Sequence, residues 1–318
     1  MLLLRNIFII LIFIISFVGP YKAFFNSEHS ESFIEIMPGD SMYGVISKLA
    51  SDSLLNKLFF KIYANKNNIN SFQVGEYNIS KMNIATAINS FNKGNTFTRY
   101  ITINEGINIF DLNKIIDKSY LINDCLNLSC LTISYPFNEG ILYPDTYFYK
   151  KGMKASDILK ASHKSLDLKL TELWNKKPES NLLKNKYEAL ILASIIEKEA
   201  GNHFEKKDIA SVFLKRITLG MKLQADPTII YGLLPDFDGD IKKSDILDNN
   251  NRYNTYMIKG LPPTPISIVS ISSLEAAITS FPGDYLFFVA DSQTSHYFSK
   301  TYEEHKQMIG KIGLDKWR

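Results

Sequence analysis

The sequence predicts an α+β protein that begins with one transmembrane helix and continues with a small α+β domain and a larger mixed α+β domain. Three features of the sequence support this fold class. An apolar run lies at the N-terminus, an order of strand, helix, helix and strand follows it, and a helix that is apolar on every face lies beyond the middle of the chain. With 318 residues, of which 45% are hydrophobic and 22% charged, the chain is long enough for two folded units.

The N-terminal apolar run extends from Ile7 to Phe25, which is about the length that crosses a bilayer. A cleaved signal peptide is the competing interpretation, because Pro20 and Lys22 interrupt the run. Large aromatic side chains crowd the candidate cleavage positions, so the sequence favours a retained anchor over residues 1–26. Since Arg5 lies on the short N-terminal side, we expect the rest of the chain to lie outside the cytoplasm.

Residues 27–95 are predicted to form the small α+β domain. Alternating apolar residues indicate strands, and apolar residues three and four positions apart indicate helices. The predicted elements are a strand at Phe33–Ile36, helices at Met42–Leu49 and Leu54–Ala64, a strand at Val74–Ile79 and a helix at Ile84–Asn92. Lys93-Gly94-Asn95 is then predicted to be a hinge to the next domain.

Residues 96–318 are predicted to form the larger domain. Its predicted elements are a strand at 100–103, a helix from about 110, a lysine-rich helical region at 155–186, helices at 206–219 and 273–280, and a strand at 285–290. The block from Glu139 to Tyr149 is rich in aromatic and turn residues. Tyr143 and Tyr147 within it either contact a ligand or pack in the core.

The helix that is apolar on every face ends in two carboxylates, Glu197 and Glu199. Gly201 is placed to end this helix in a left-handed conformation, which leaves both carboxylates in the last turn. The negative end of the helix dipole and partial desolvation are both expected to raise the pKa of Glu197, as a general acid requires. The alternative is that both glutamates are solvated, and Glu199, which points elsewhere on the helix, is expected to be the more solvated of the two.

A second polar cluster follows the next predicted helix. Gln224, Asp226, Thr228 and Tyr231 alternate with apolar residues and bring an amide, a carboxylate, a hydroxyl and a phenol close together. Such a set suits a ligand that is rich in hydroxyl and acetamido groups. The alternative is a well-capped turn, because Asp-Pro starts turns and Thr makes local hydrogen bonds.

Several other kinds of chemistry find no support in the sequence. The formal net charge of +3 is too small to indicate nucleic-acid binding, and there is no basic run with interleaved aromatic residues. His203 and His296 lie in no pattern of metal ligands, so neither a metal nor a cofactor is predicted. Cys125 and Cys130 either pair in an oxidising compartment or remain two free thiols.

Six sequence blocks follow one another between about residues 138 and 298. They are NEGILYPDTY at 138–147, ASIIEKE at 193–199, LQADPT at 223–228, YNTY at 253–256 with GLPPTPI at 260–266, SSLEAA at 272–277 and YLFFVA at 285–290. Their order resembles the endolytic murein lytic transglycosylases of the bacterial inner membrane, the YceG-like family. The chain departs from the usual family pattern at Ile141, where an aromatic residue is usual, and at residues 268–270, where Asn-Pro-Gly is usual.

The resemblance implies a LysM-like fold for residues 27–95, which either binds glycan or serves as a spacer, and a catalytic domain at 96–318. It implies a lyase that cleaves the bond between N-acetylmuramic acid and N-acetylglucosamine in nascent peptidoglycan strands. The catalytic acid would be Glu197, which protonates the glycosidic oxygen and then takes the proton of the muramic C6 hydroxyl as a 1,6-anhydro ring closes. The candidate substrate contacts are Gln224, Asp226, Thr228, Tyr231, Asn254, Tyr256 and Tyr147.

The resemblance also implies a place in the cell and a set of partners. A single N-terminal helix would hold the chain in the inner membrane with its catalytic part in the periplasm. The partners would be peptidoglycan strands and the peptidoglycan synthases known as penicillin-binding proteins, and cleavage would end strand elongation. Two alternatives stay open, namely a membrane-anchored glycan-binding protein without activity and a muramidase that hydrolyses the same bond with water.

Overall fold

The computed structural model describes residues 2–28, 31–132, 135–292 and 294–313. It has the predicted mixture of helices and strands. The chain forms two compact units. Unit 1 comprises Met1–Arg99 with Phe148–Gly152, and unit 2 comprises Tyr100–Tyr147 with Met153–Arg318.

The N-terminal helix of unit 1 has the length and composition of a membrane span. It consists of α1 (Leu2–Phe13), a π-helical turn (Ile14–Val18) and α2 (Gly19–Asn26). Within it, Arg5–Asn26 is 22 residues long, and an 18-residue window of this segment has a mean hydropathy of 2.2. Pro20 does not break the helix, because it lies in the first turn of α2, where a missing N–H is tolerated.

The remainder of unit 1 follows the predicted order of elements. These are β1 (Phe33–Ile36), α3 (Met42–Leu49), α4 (Leu54–Lys66), β2 (Gly75–Asn78) and α5 (Ile84–Lys93). β1 and β2 pair antiparallel, with Phe33 opposite Asn78. The first segment of unit 1 ends at Arg99, whose guanidinium donates to both oxygens of the buried Glu76 carboxylate at 2.9 Å.

Local signals in the sequence account for the helix boundaries in unit 1. The side chains of Ser41, Ser53 and Asn83 each accept a hydrogen bond from a backbone N–H in the first turn of α3, α4 and α5. Gly94 ends α5 at φ +70°, a conformation that glycine adopts without steric cost. The largest buried side chains of the unit are Phe59, Phe60, Tyr77, Phe91, Ile46 and Ile88.

Unit 2 contains most of the helices. Its elements are β3 (Arg99–Ile103), α6 (Ile109–Asp117), a 3-10 turn (Leu126–Leu128), β4 (Asp145–Tyr149), α7 (Ala155–Trp174), α8 (Lys186–Glu199), α9 (Lys206–Thr218), α10 (Asp226–Leu233), α11 (Lys243–Ile246), α12 (Ile271–Thr279), β5 (Phe287–Ala290), β6 (His296–Ser299) and α13 (Tyr302–Ile312). β3 and β4 form one two-stranded sheet. β5 and β6 form another, antiparallel, with Phe287 opposite Ser299.

The core of unit 2 is built around α8. Every residue of this helix from Ala189 to Ile196 is buried, which confirms that it is apolar on all faces. It packs against α7, α9, α10 and α12. Even its one central polar residue, Ser194, is satisfied, since its hydroxyl bonds the carbonyl of Ile191 and accepts from the amide of Ile266.

Two local predictions for unit 2 are wrong. The lysine-rich region is not one helix, because α7 ends at Trp174 and Asn185 starts α8 as a new cap, 2.9 Å from the amide of Glu188. Gly201 does not adopt a left-handed conformation, since α8 ends at Ala200 in extended backbone. Glycine is needed at 201 for a different reason: a Cβ there would lie 2.9 Å from the carbonyl carbon of Thr294.

Of the two states considered for the cysteines, the structure has the bonded one. Cys125 and Cys130 form a disulfide with their Cα atoms 5.0 Å apart. They lie on either side of the 3-10 turn, so the bond closes a small local loop.

Candidate active site

A polar cavity of about 590 Å³ lies beside the C-terminal end of α8 in unit 2. Elements distant in sequence meet here: the end of α8, the start of α10, the β5–β6 hairpin and α13. Its polar wall is formed by Glu199, Arg216, Gln224, Asp226, Tyr256 and His296. Its other lining residues are Phe287, Phe288, Val289, Ala290, Tyr302, His305 and Ile309. A mixture of a few convergent polar groups with apolar and aromatic walls is typical of small-molecule and glycan sites.

Glu199, the last residue of α8, is one of the two acidic residues that line this cavity, the other being Asp226. Burial and the negative charge of Asp226 raise the pKa of Glu199 to about 8, and the charge of Arg216 only partly opposes them. At neutral pH the group therefore keeps its proton. A carboxyl group that is protonated at neutral pH and opens to a cavity has the properties of a general acid.

Arg216 is a buried part of the cavity wall, and its position is set by backbone carbonyls. Its Nε donates to the carbonyl of Leu286 at 2.7 Å and its Nη1 to the carbonyl of Leu223 at 2.6 Å. Burial lowers the pKa of Arg216, and its own charge lowers the pKa of Glu199. The guanidinium thus provides a fixed positive charge that stabilises Glu199 once that group has lost its proton.

Three of the predicted substrate contacts line the same cavity: Gln224, Asp226 and Tyr256. The phenol of Tyr256 donates to Oδ1 of Asp226 at 2.6 Å, which fixes the orientation of the carboxylate. Gln224 has φ +52°, in the left-handed region that a residue other than glycine rarely adopts. Its backbone N–H donates to the carbonyl of Thr255 at 3.1 Å, which helps hold that conformation.

The other four predicted contacts are bonded within the protein and do not line the cavity. The hydroxyl of Thr228 donates to the carbonyl of Ala225 at 2.6 Å, and the amide of Asn254 donates to three carbonyls at and just after the end of α11 at 3.0 Å. Both side chains are fully buried, so they shape the loops that carry Gln224 and Tyr256. The hydroxyl of Tyr147 donates to the carbonyl of Tyr143 at 2.8 Å, and that of Tyr231 donates to Glu139.

Glu197, the predicted acid, lies in a different environment from Glu199. Its side chain is 8% exposed and forms an ion pair with Lys206 at 3.2 Å. The backbone N–H of Ser270 donates to Oε2 at 2.9 Å, and the Ser270 hydroxyl donates to the same oxygen. Lys206 also donates to the hydroxyls of Ser270 and Ser272. The carboxylate is therefore part of a closed network that ties the end of α8 to α9 and to the start of α12.

The pKa of Glu197 is shifted in the direction opposite to the prediction. Burial acts to raise it, but the hydrogen bonds of Ser270 and Ser273 and the charge of Lys206 together hold the pKa below its ordinary value. The expectation of a raised pKa at Glu197 is thus wrong, and so is the expectation that Glu199 is merely solvated. The helix-dipole argument applies to both residues, and the neighbours of each decide its charge.

A second protonated carboxyl group lies in the core of unit 2 at Glu139. It is 5% exposed, and it accepts hydrogen bonds from the amides of Ile109 and Gly140 and from the hydroxyl of Tyr231 at 2.8 Å. Burial raises the pKa of Glu139 to about 7, against the effect of these donors. The ring of Tyr231 in turn packs edge to face on that of Tyr253 at 4.8 Å.

His296 links the cavity to α9. Its Nδ1 lies 2.9 Å from Oε2 of Glu205, and its backbone N–H donates to Oε1 of the same residue at 2.8 Å. His296 therefore has a structural role and also lines the cavity. Among the residues that the structure describes, no cluster of three or more potential metal ligands occurs.

Sequence reasoning missed several residues of this site. Arg216 and Lys206 lie on an amphipathic helix and have the pattern of solvated charges, yet both are buried. The position of Glu139, directly before a glycine in a block of turn and aromatic residues, was the only local signal of its burial. For Glu199 the signal was present in the Glu-Lys-Glu block, but the spacing alone does not tell which carboxyl group meets a cavity.

This arrangement has the properties of a general-acid site in a mixed α+β protein. The chain belongs to the YceG-like family, whose model matches residues 34–311. It is 30% identical over 308 residues to the endolytic murein transglycosylase of Bacillus subtilis (strain 168), covering 86% of this chain and 82% of that protein.

Two further comparisons agree with the family assignment. An endolytic murein transglycosylase of Streptococcus pneumoniae serotype 2 is 30% identical over 176 residues, which cover 54% of this chain and 31% of that protein. The crystal structure of a YceG-like protein from Listeria monocytogenes superposes with a TM-score of 0.57 at 28% identity, covering 87% of this chain and 98% of the other.

Proposed function

We propose that this protein is an endolytic murein transglycosylase, a lyase that cleaves peptidoglycan glycan strands, and that Glu199 is its general acid. The observation that supports this most directly is the raised pKa of Glu199, about 8, at a cavity that also contains Gln224, Asp226 and Tyr256. Family membership and the names of the relatives supply the substrate class. The opposite pKa shifts of the two glutamates support Glu199 as the acid.

In the proposed reaction Glu199 donates its proton to the oxygen that joins N-acetylmuramic acid to N-acetylglucosamine. The bond between C1 of the muramic residue and this oxygen breaks, and the glucosaminyl part of the strand leaves as an alcohol. The Glu199 carboxylate then takes the proton of the muramic C6 hydroxyl. The oxygen of this hydroxyl forms a bond to C1. The product carries a 1,6-anhydro end, no water is consumed, and Glu199 regains its proton.

The neighbours of Glu199 suit both halves of this cycle. Asp226 raises the pKa of Glu199 and keeps the proton in place before cleavage. Arg216 favours the carboxylate that forms when the proton has been donated. Only one carboxyl group has to change its charge, in contrast to glycosidases that use a carboxylate pair. Gln224 and Asp226, the latter held by Tyr256, are proposed to bond the hydroxyl and acetamido groups of the sugars.

Glu197 is proposed to position the acid without taking part in proton transfer. Its network with Lys206 and Ser270 holds the last turn of α8, in which Glu199 lies two residues further on. Its lowered pKa keeps it ionised at neutral pH, so it has no proton to give.

The proposal extends to the setting of the enzyme. The helix Arg5–Asn26 is proposed to anchor the chain in the inner membrane, with unit 2 and the part of unit 1 that follows the helix on the periplasmic side. An anchored enzyme reaches the glycan closest to the membrane, so nascent strands are its substrate and a penicillin-binding protein is a partner, with cleavage ending elongation. If crosslinking and pull-down of the membrane form recover no synthase, the proposed partnership with a penicillin-binding protein is wrong.

The LysM-like character of residues 27–95 is also part of the proposal and is supported by the order strand, helix, helix, strand.

Mass spectrometry of reaction products tests the proposed function. The full chain in detergent is incubated with purified sacculi and with uncrosslinked nascent glycan, beside the Glu199→Gln variant. We expect internal fragments with 1,6-anhydromuramic ends from the wild type alone. Ends that borohydride reduces would instead indicate a muramidase, and absence of products from the wild type would indicate a glycan-binding protein without activity.

A further inference from the structure

The last part of the N-terminal helix is enclosed by unit 1 before the helix ends. The ring centroids of Phe17 and Tyr21 each lie 5.4 Å from that of Phe59 on α4. Phe25 stacks on Tyr63 of the same helix at 4.4 Å. Phe24 and Phe25 are buried members of the hydrophobic core of this unit. From Phe17 onwards, therefore, the helix is packed against its own domain.

The length of helix before this contact is too short to cross a membrane. Phe17 is twelve positions after Arg5, which corresponds to about 18 Å at about 1.5 Å per residue. The hydrocarbon core of a bilayer is about 30 Å thick. If the helix spans the bilayer, as the proposed function has it, roughly 12 Å of hydrocarbon thickness remains at the level where α4 already covers the helix.

The surface of α4 at this level is apolar. Four large side chains point outward from the unit, and Leu54 is 88% exposed. The others are Leu55, Leu58 and Ile62. Leu54, Leu58 and Ile62 are spaced four residues apart and thus form one continuous stripe along the helix. Exposed leucines at this spacing are costly in water and favourable in lipid.

α4 runs parallel to the membrane helix. Phe59 contacts Phe17 and Tyr21, whereas Tyr63, one turn later, contacts Phe25. Lys66, at the end of α4, lines a small depression together with Lys22 and Asn26. The start of α4 therefore points in the direction of Arg5, and its end lies level with the end of the membrane helix.

Lysines flank the apolar stripe. Lys57 and Lys61 line an open depression with Tyr43 and Leu58, and Lys57 pairs with Asp52 at 2.6 Å. Lysine side chains on such a helix lay their apolar stems along the hydrocarbon and direct their ammonium groups toward the headgroups.

We propose that α4 is a second membrane-contacting element, with the stripe Leu54–Leu58–Ile62 lying among the acyl chains of the leaflet opposite Arg5 and with Lys66, at the end of α4, at its phospholipid headgroups. This inference rests on the proposed membrane anchoring. Unit 1 is then partly immersed, held against the bilayer by two helices in place of one. A unit fixed by two helices has a defined orientation, whereas a unit on a single flexible tether has none.

Quenching of tryptophan fluorescence by brominated lipid tests the inference. The full chain is reconstituted in vesicles of phosphatidylethanolamine and phosphatidylglycerol with bromine on the acyl chains. Leu58→Trp is compared with Asn65→Trp, which lies on the same face of α4 but about 10 Å nearer to its end. The native Trp174 and Trp317 give a background that the unsubstituted chain measures.

We expect the bromine to reduce the added emission of Leu58→Trp by about twofold or more and that of Asn65→Trp by a much smaller factor. Each sample is first floated on a density gradient. A chain that floats without any quenching at position 58, or with equal quenching at both positions, would overturn the inference and leave the anchor intact. A chain that does not float with the vesicles would overturn the anchor and the inference together.

Discussion

Glu197 and Glu199 lie two residues apart in the last turn of α8, and their carboxyl groups have opposite protonation states at neutral pH. Glu197 is paired with Lys206 and Ser270 and stays ionised, whereas Glu199 lies beside Asp226 at the cavity and keeps its proton. Residues two apart on a helix point about 200° apart, so each meets a different set of neighbours. One carboxylate therefore serves to fix the helix end, and the other is available for proton transfer.

The first prediction compares the two glutamates by substitution. Glu199→Gln removes the proton donor, so the initial rate of product release from sacculi is expected to fall by about 10²–10⁴-fold. Glu197→Gln keeps a hydrogen-bonding amide next to Ser270 and leaves Glu199 in place, so its loss is expected to be at least about tenfold smaller than that of Glu199→Gln. Thermal unfolding of both variants serves as a control for folding. A larger loss for Glu197→Gln than for Glu199→Gln would return the catalytic role to Glu197.

The second prediction concerns the pH dependence of activity. Since the acid form of Glu199 is the active one, kcat/KM is expected to fall as the pH rises through about 8, by tenfold per pH unit beyond it. Asp226 contributes to the raised pKa, so Asp226→Asn is expected to move this alkaline limb to lower pH. The experiment is a set of initial rates between pH 5 and about 10. An alkaline limb that stays in place in Asp226→Asn would contradict the proposed coupling.

The third prediction addresses the ion pair that holds the end of α8. Both side chains are nearly buried, 10% exposed for Lys206 and 8% for Glu197. Lys206→Met leaves the Glu197 carboxylate buried without its counter-charge, and we expect a loss of about 3–5 kcal/mol in the free energy of unfolding. The double variant with Glu197→Gln has no uncompensated charge and is expected to recover at least about half of that loss. Urea unfolding of the four proteins in the cycle measures the coupling, and additive losses would show that the pair is not coupled.

The fourth prediction concerns Glu139, whose raised pKa makes stability depend on pH. The folded state keeps the Glu139 proton up to about pH 7, whereas the unfolded state loses it near its ordinary value of 4.5. Between these two values the folded state binds more protons, so the free energy of unfolding falls as the pH rises, by about 3 kcal/mol in total for this one group. Above pH 7 the contribution is constant.

Glu139→Gln isolates this effect. The amide cannot ionise, so its free energy of unfolding, relative to the wild type, is expected to rise by about 3 kcal/mol between pH 5 and 8. Other groups, Glu199 among them, titrate in both proteins and cancel in the difference. Urea midpoints at the two pH values provide the measurement. Parallel pH profiles for the two proteins would mean that Glu139 is ionised in the folded state.

The fold was predictable to the extent that its determinants are local. Ser41, Ser53 and Asn83 cap helices by bonding amides in the next turn, and Gly94 ends a helix by its own conformation, so the elements of unit 1 follow from short-range signals. The end of α8 does not follow from such short-range signals. Gly201 lies against the backbone of Thr294, a contact between residues far apart in sequence. A glycine required by such a contact has the same local signature as a helix-ending glycine.

Contacts between residues far apart in sequence also limited the prediction of the site. Gln224 and Asp226 were recognisable because polar groups alternate with apolar ones in their block, and Tyr256 was a candidate through the resemblance to the family; all three line the cavity. Thr228, from the same block as Gln224, and Asn254, also a candidate through the resemblance, instead bond backbone carbonyls within the protein. Whether Glu197 or Glu199 meets the cavity depends on where α9 and α12 pack, and this is decided by tertiary contacts. The charge of a buried carboxyl group is therefore the property that sequence predicted least well.

The last prediction uses the close approach at Gly201 to test how tightly the end of α8 has to be held. A Cβ at this position would lie 2.9 Å from both the carbonyl carbon and oxygen of Thr294, and backbone atoms cannot move aside without shifting the β5–β6 hairpin. Gly201→Ala is therefore expected to lower the free energy of unfolding by about 1–3 kcal/mol. Since the hairpin and Glu199 line the same cavity, the rate of glycan cleavage is expected to fall as well.

Gly310→Ala is the matched control, because no atom lies within 4 Å of the added Cβ. In helix α13 it is expected to be neutral or to stabilise the protein by up to about 1 kcal/mol with unchanged activity. Equal stability and activity of the two alanine variants would show that the contact with Thr294 places no constraint on the acid.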